Sequence, residues 1–391
     1  MAYSVNRVLR IGIVAGEASG DLLAATLMQS LRDRGVVIEA EGVVGPHMLQ
    51  QGCRALASIE ELACMGIPEI LKRLPRLIRL RYRLARHFIK NKPDIFIGVD
   101  APEFNLGLEK KLKKHHIPVI HYVCPSVWAW RQRRVKKIAK AVDLVLALLP
   151  FEVAFLQKYG IPVTYVGHPL ADALPMHYDR EHIRRQFNIS LQATVIALLP
   201  GSRSNEIAYL GKLFIQVAQR CRQLNSDLLF LAAMVDKKRA EQFTQIWRKT
   251  APDLTIRILQ QKTHAVIAAA DVVLVASGTA TLEALLLKKP MVVVYRMANI
   301  SYWIARLLVR VRFIALPNLL ADSALVPEFI QGDATVTSLV EALFNYLHHP
   351  QEMAVLEDAF IKIHQQLRCN ASLRASEALL NLLNPCIVLR K

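Results

Sequence analysis

Short apolar runs alternate with amphipathic stretches along almost the whole chain. The first run, Leu9–Ala15, gives way to residues 21–34, where apolar side chains recur at helical spacing. Similar β-type runs follow at Ile95–Val99, Val119–Val123, Leu144–Leu149 and Val163–Val166. A second set begins at Thr194–Leu199 and continues through Leu228–Ala233, Thr255–Ile258, Val272–Val275 and Met291–Val294. Runs this uniformly apolar fit strands buried on both faces, and the stretches between them fit crossover helices, so the rhythm predicts parallel sheets of the α/β class. Gly167-His168-Pro169-Leu170-Ala171-Asp172 and the polar stretch up to Asn188 separate the two sets and make the best linker candidate. The expected architecture is two Rossmann-like, doubly wound domains facing across a cleft, with a helical C-terminus over residues 333–383 capped by Thr335 or Thr337 and by Asn370.

Composition narrows the class. At 391 residues, 53% hydrophobic, with a mean hydropathy of +0.26, the chain is long and apolar enough for two cores and unlike a disordered protein. Its six cysteines are scattered without a Cys-x-x-Cys pair, which argues against a zinc module or a disulfide framework and for a reducing cytoplasm. The run Ile11 to Ala15 is broken at once by Gly16-Glu17, so it reads as a first strand rather than a signal peptide. No apolar stretch reaches the roughly 18 residues of a spanning helix.

Net charge is +18, and part of it is concentrated. Residues 70–93 carry Lys72, Arg73, Arg76, Arg79, Arg81, Arg83, Arg86, Lys90 and Lys92 with no acid, and further basic clusters lie at Lys110 to Lys114 and Arg131 to Lys140. Such fields attract nucleic acid, anionic lipid headgroups or phosphorylated substrates. No recognisable DNA- or RNA-reading motif accompanies the charge, so a nucleic-acid-binding protein is a remote alternative.

The candidate chemistry sits where apolar runs end. Ala276-Ser277-Gly278-Thr279-Ala280-Thr281-Leu282-Glu283 follows Val272–Val275, as expected for a strand that turns on a glycine into a helix. Free N–H groups and the positive dipole end face such a turn, which suits a diphosphate, and Glu283 one turn on lies within reach of a ribose hydroxyl. A plain βα loop with a Ser or Thr cap fits the same residues. Pro200-Gly201-Ser202-Arg203 follows another run and adds a glycine turn, a hydroxyl and a guanidinium. Arg296 and Asn318 end other apolar runs on the same expected rim.

In the first half, Gly16-Glu17-Ala18-Ser19-Gly20-Asp21 lacks the spacing of a dinucleotide fingerprint or a P-loop, yet it exposes Glu17 and Ser19 at a strand's carboxyl end. Helix capping by Ser19 and Asp21 is an equal reading. Asp100 ends Ile95–Val99, where a carboxylate can take a proton from a substrate hydroxyl or merely cap a helix. Trp128 and Trp130 beside Arg131 fit contact with a sugar or lipid, or core packing. His121 and His168 read as structural histidines. There is no Asp-x-Asp pair and no His/Cys/carboxylate spacing for a metal.

Taken in order, these strings resemble the lipid-A-disaccharide synthase family. The resemblance runs from Val14-Ala15-Gly16-Glu17-Ala18-Ser19-Gly20-Asp21 through Met65-Gly66-Ile67, Asp100-Ala101-Pro102-Glu103-Phe104-Asn105 and Gly167-His168-Pro169. It continues to Leu199-Pro200-Gly201-Ser202-Arg203, the Ser277 turn and Arg368-Cys369-Asn370-Ala371. It implies an inverting glycosyltransferase of the GT-B fold that joins UDP-2,3-diacylglucosamine to the 6-hydroxyl of 2,3-diacylglucosamine 1-phosphate (lipid X). The implied products are a β-1,6-linked tetraacyl disaccharide 1-phosphate and UDP. No metal or other cofactor is implied.

On that basis Asp100 is the expected general base, aided by Glu17 and Arg203, and Ser19, Trp128 and Trp130 lie on the acceptor side. Gly201, Ser202, Arg203, Arg296, Ser277, Gly278, Thr279, Glu283 and Asn318 hold the nucleotide sugar. Residues 1–172 form the acceptor domain, 173–365 the donor domain, and 366–391 a helical tail that can pack back on the first. Ile67, Ile70, Leu71, Leu74, Leu77 and Ile78 recur at helical spacing between arginines, as for a helix lying on an anionic inner-membrane surface from the cytoplasmic side. A surface helix packing its stripe on the core is the competing reading, and a homodimer is left open. Within the same fold, the alternative activity is that of a UDP-sugar 2-epimerase or another UDP-sugar transferase.

Overall fold

The computed structural model describes residues 8–62, 67–128, 134–298, 302 and 311–383. Trp130, Met65 and Gly66 lie outside the described residues, as do the side chains of Ile67, Ile70 and Leu71. The chain divides into two compact units, Met1–Asp172 with Leu367–Lys391, and Ala173–Gln366.

The first unit is built on a parallel sheet of seven strands: β1 (Leu9–Ala15), β2 (Ile38–Val44), β3 (Arg54–Ser58), β4 (Ile95–Val99), β5 (Val119–Tyr122), β6 (Leu144–Ala147) and β7 (Val163–Tyr165). Their spatial order is β3-β2-β1-β4-β5-β6-β7, and every neighbouring pair is parallel. The second unit has six: β8 (Val195–Leu199), β9 (Leu229–Met234), β10 (Arg257–Gln260), β11 (Val272–Ala276), β12 (Met291–Tyr295) and β13 (Glu328–Ile330), in the order β10-β9-β8-β11-β12-β13, again all parallel. Each sheet therefore reverses its strand order once, between β1 and β4 and between β8 and β11. In doubly wound sheets the crevice outside the carboxyl ends of those strands is where ligands bind.

The four central strands are the ones the hydrophobic pattern predicts best. β4, β8 and β11 are buried at every residue, and β1 at all but Arg10. Strands β2, β3 and β13 escape the pattern, because Glu39, Glu41 and Arg54 and the half-buried β13 break the apolar run that a doubly covered strand shows.

The expected helical C-terminus resolves into Val336–His348, Pro350–Leu367 and Ala371–Leu383. Thr335 caps the first, accepting from the Ser338 N–H. Asn370 is not the cap of the last: its N–H and that of Ala371 both donate to the Asp172 carboxylate, at 2.9 and 2.6 Å. An acid remote in sequence thus takes the role expected of a local side chain. That last helix lies on the helix Ala18–Asp33, with the Ser30 and Ser376 hydroxyls buried 3.0 Å apart and Arg34 ion-paired to Glu377.

Candidate functional site

At the reversal point of the first sheet, the turns after β1 and β4 interlock. A Cβ on Gly16 would lie 2.2 Å from the Ala101 Cβ, so only glycine lets the β4 turn close against the β1 turn. Asp100 and Ala101 both take left-handed backbone, with φ of 54° and 43°. Such non-glycine residues are strained, by about 1–3 kcal/mol each, and persist where surrounding structure enforces them. Here the enforcement is visible. The Asp100 N–H donates to Tyr122 O of β5 at 2.9 Å, and the buried Asn105 amide donates to Asp100 O at 2.8 Å.

This turn places the Asp100 carboxyl beside Glu17. Burial raises its pKa above the ordinary carboxylate range and the Glu17 charge raises it further, while the Ala101 N–H and His121 pull it back. Glu17 is exposed and in extended backbone, and it accepts the Ser19 hydroxyl at 2.7 Å. Glu17, Ser19 and Asp100, each a candidate by its own position in the sequence, are therefore one cluster. Asp21, expected to face the helix dipole, instead points away and accepts the N–H groups of Gly45, His47 and Met48. Trp128 stands apart, half-buried and edge-to-face on Phe151 at 4.8 Å, packed on the hydrophobic core. It takes the core-packing role rather than presenting a face to an acceptor. His168 is buried and accepts the Leu170 N–H, and burial pushes its pKa down to about 4, which fits a neutral structural histidine.

At the reversal point of the second sheet, a cavity of about 350 Å³ gathers Gly201, Ser202, Arg203, Glu206, Thr263, Ser277, Gly278, Thr279 and Glu283. The turns after β8 and β11 are thus its two walls. Gly201 has φ 119°, and a Cβ there would lie 2.4 Å from that of Glu206, so conformation and space both demand glycine. The Glu206 carboxylate accepts the Ser202 and Arg203 N–H groups at 2.9 and 3.1 Å. Those two amides are therefore spent within the protein, and what the turn offers a ligand is the exposed Arg203 side chain, 3.6 Å from Glu206. The opposite wall is different. The helix Thr279–Leu286 opens directly on the cavity, and the first N–H groups of a helix have no partner within it. Ser277 holds the turn by donating its hydroxyl to Ile314 O.

Two nucleotide-site expectations are corrected. Asn318 is buried, its amide donates to Val326 O and to the Glu328 carboxylate, and its oxygen accepts the Val326 N–H, so no donor is left for a ligand. Arg296 donates to Gln331 O and Ala334 O and lines a separate cavity with Tyr209 and Gly332. Sequence reasoning also missed two members. Glu206 was detectable as an acid three residues into the helix after Arg203, the position of a returning cap. His264 lies with its Nε2 3.7 Å from Glu283, whose carboxylate raises the imidazole pKa. His264 and Glu283 together line a second cavity, to which Phe187 and Lys262 also contribute. Among the described residues, no group of three His, Cys, Asp or Glu is placed to hold a metal ion.

Known proteins share this pattern of residues and sheets. The family model of lipid-A-disaccharide synthetase matches residues 11–379. A lipid-A-disaccharide synthase of Aeromonas hydrophila is 48% identical over 375 residues, covering 96% of this chain and 98% of that protein. One from Shigella flexneri is 46% identical over 376 residues, covering 96% and 98%. Among solved structures, UDP-GlcNAc 2-epimerase of Neisseria meningitidis aligns with a TM-score of 0.65 at 13% identity, covering 96% of this chain and 99% of that one. MurG of Acinetobacter baumannii aligns at 0.59 and 15%, also covering 96% and 99%. At such identities these two likenesses establish the fold, two Rossmann-like domains of the GT-B type, and nothing about activity.

Proposed function

The chain belongs to the lipid-A-disaccharide synthase family, and from that premise we propose how its two units divide the reaction. It is a glycosyltransferase of lipid A biosynthesis. The donor is UDP-2,3-diacylglucosamine and the acceptor 2,3-diacylglucosamine 1-phosphate. The acceptor's 6-hydroxyl oxygen attacks the anomeric carbon, the bond from that carbon to UDP breaks, and its electron pair leaves with the diphosphate. The hydroxyl proton passes to the Asp100 carboxylate. In the second unit the diphosphate is met by Arg203 and by the N-terminus of the helix Thr279–Leu286, and Glu283 accepts from the ribose.

The observation that carries this reading is Asp100, held in strained backbone at a sheet's reversal point with its proton affinity raised by burial and by Glu17. A base of raised pKa is better matched to a hydroxyl's proton near neutral pH than an ordinary carboxylate. The test is a mass-spectrometric assay of product formed from UDP-2,3-diacylglucosamine with and without 2,3-diacylglucosamine 1-phosphate. Disaccharide and UDP are expected only when both are present. Epimerised donor in the absence of acceptor would instead establish the rival chemistry of the same fold.

No helix of the described residues is long and apolar enough to cross a membrane, so acylated substrates call for a surface device. The helix Ile67–Asn91 supplies one. Leu74, Ile78 and Tyr82, one turn apart, are exposed at 44%, 48% and 57%, among Arg76, Arg79, Arg83 and Arg86. Leu80, Leu84 and Phe88 on the other side are buried, so the helix packs on the core with one stripe and leaves a second uncovered. Leu77, expected in the outer stripe, is half-buried. Leu74→Glu with Ile78→Glu is expected to remove most co-sedimentation with anionic vesicles while leaving the circular dichroism spectrum unchanged; undiminished binding would exclude this helix as the contact.

A further inference from the structure

Directly under the Asp100 turn lies a buried carboxylate–imidazole pair that the transfer step does not use. Glu109 Oε1 and His121 Nδ1 are 2.6 Å apart, and both side chains are 0% exposed. His121 sits on β5 in register with Gly98 of β4, two residues before Asp100, so the imidazole shares a sheet face with the base. Glu109 reaches the same place from the helix Pro102–Lys113, one turn after the Asn105 that secures the Asp100 carbonyl. Room for the pair is made by a missing side chain: a Cβ on Gly98 would lie 2.0 Å from Glu109 Oε1.

Space filling alone does not account for this arrangement. Desolvating a carboxylate and an imidazole is costly, and apolar residues of similar volume fill such a site at least as favourably. The pair is also undersupplied with partners, since Glu109 Oε2, His121 Nε2 and Asn105 Oδ1 are buried without a hydrogen bond. Its charge therefore has few local dipoles to compensate it, and Asp100 responds to the imidazole.

We propose that Glu109 and His121 are positioning residues for the base: the pair holds one proton between carboxylate and imidazole and keeps a positive charge under the Asp100 turn, which favours the ionised, proton-accepting form of Asp100. The proposal rests on the reading of Asp100 as the base. The charged groups around it are Asp100 after β4, Glu17 after β1, His121 on β5 and Glu109 on the helix. Arg81 lies against Gly107 of that helix, and Tyr122, the next residue of β5, faces the other side of the sheet, near Asp172. Glu17 opposes the imidazole's effect on Asp100.

In Glu109→Gln the buried imidazole loses its counter-ion and gives up its proton, the positive charge vanishes, and Asp100 binds its own proton more tightly. The acid limb of the kcat/KM profile should move up by about half to one pH unit. Glu17→Gln, which removes a negative charge, should move it down. The double variant Glu109→Gln with His121→Asn replaces the ion pair by a neutral hydrogen-bonded pair and should reproduce the upward shift even if the single variant folds poorly. UDP affinity by calorimetry should not change in the Glu109 variants. An acid limb that stays in place or moves down in both Glu109 variants overturns the proposal. If Asp100→Asn is inactive in the same assay, that result leaves the base reading standing; if Asp100→Asn turns over normally, both fall together.

Discussion

Replacing Asp100 by Asn is expected to lower turnover about 10²- to 10⁴-fold, the range a positioned general base supplies, while UDP affinity stays within about twofold, since the residues that line the UDP cavity belong to the other unit. Asparagine is the informative substitution for a backbone reason. Position 100 has φ 54°, and Asn enters the left-handed region almost as readily as Asp, whereas Ala would add strain to a turn that already contains Ala101. The Asn105 amide and the Tyr122 carbonyl would still hold the turn through its main chain. What is lost is the ability to take a proton. Single-turnover product formation, measured by mass spectrometry beside calorimetric UDP binding, separates the two effects. More than a tenth of the normal rate in the Asp100→Asn enzyme would mean that another group takes the proton.

Legibility in the sequence followed burial. Strands β1, β4, β8 and β11 are buried on both faces and stand out as uninterrupted apolar runs, and the residues just after them, Glu17, Asp100, Arg203 and the Ser277, Gly278 and Thr279 turn, could be read off by position. The fold-level rule that ligands meet strand carboxyl ends then did most of the site prediction. It failed where a residue after an apolar run turns inward. Asn318 lies in the first turn of a short helix and points at Glu328 rather than outward, and nothing in residues 316–320 signals which way its amide faces. Glu109 and His121 were illegible for the opposite reason. A charged residue inside a helix pattern ordinarily marks the solvent face, and only the glycine at position 98, brought opposite by strand pairing, shows that this one is turned into the sheet. Long-range pairing carries that information, and local patterning does not.

Arg203→Ala is expected to weaken UDP binding at least tenfold and to lower kcat by a further factor of about 10²–10³, the usual cost of removing one preorganised group from developing charge. The reason lies in the charge balance of the cavity. Among the described residues that line it, Arg203 is the one permanent cation, and Glu206 and Glu283 are both acids. A diphosphate entering without the guanidinium would face two carboxylates, opposed only by the N-terminus of the helix Thr279–Leu286 and by whatever charge His264 carries. The amides of Ser202 and Arg203 cannot compensate, because Glu206 already holds them. Arg203→Lys keeps the charge but loses the two-pronged donor, so it should restore most of the UDP affinity and less of kcat. Glu206→Gln provides the control for simple electrostatics: it removes one negative charge next to Arg203 and should tighten UDP binding, unless the turn itself depends on the carboxylate. Isothermal titration with UDP, run at two salt concentrations to expose screening, reads all three variants on one scale. Equal UDP affinity in the Arg203→Ala and native proteins would place the diphosphate away from this cavity.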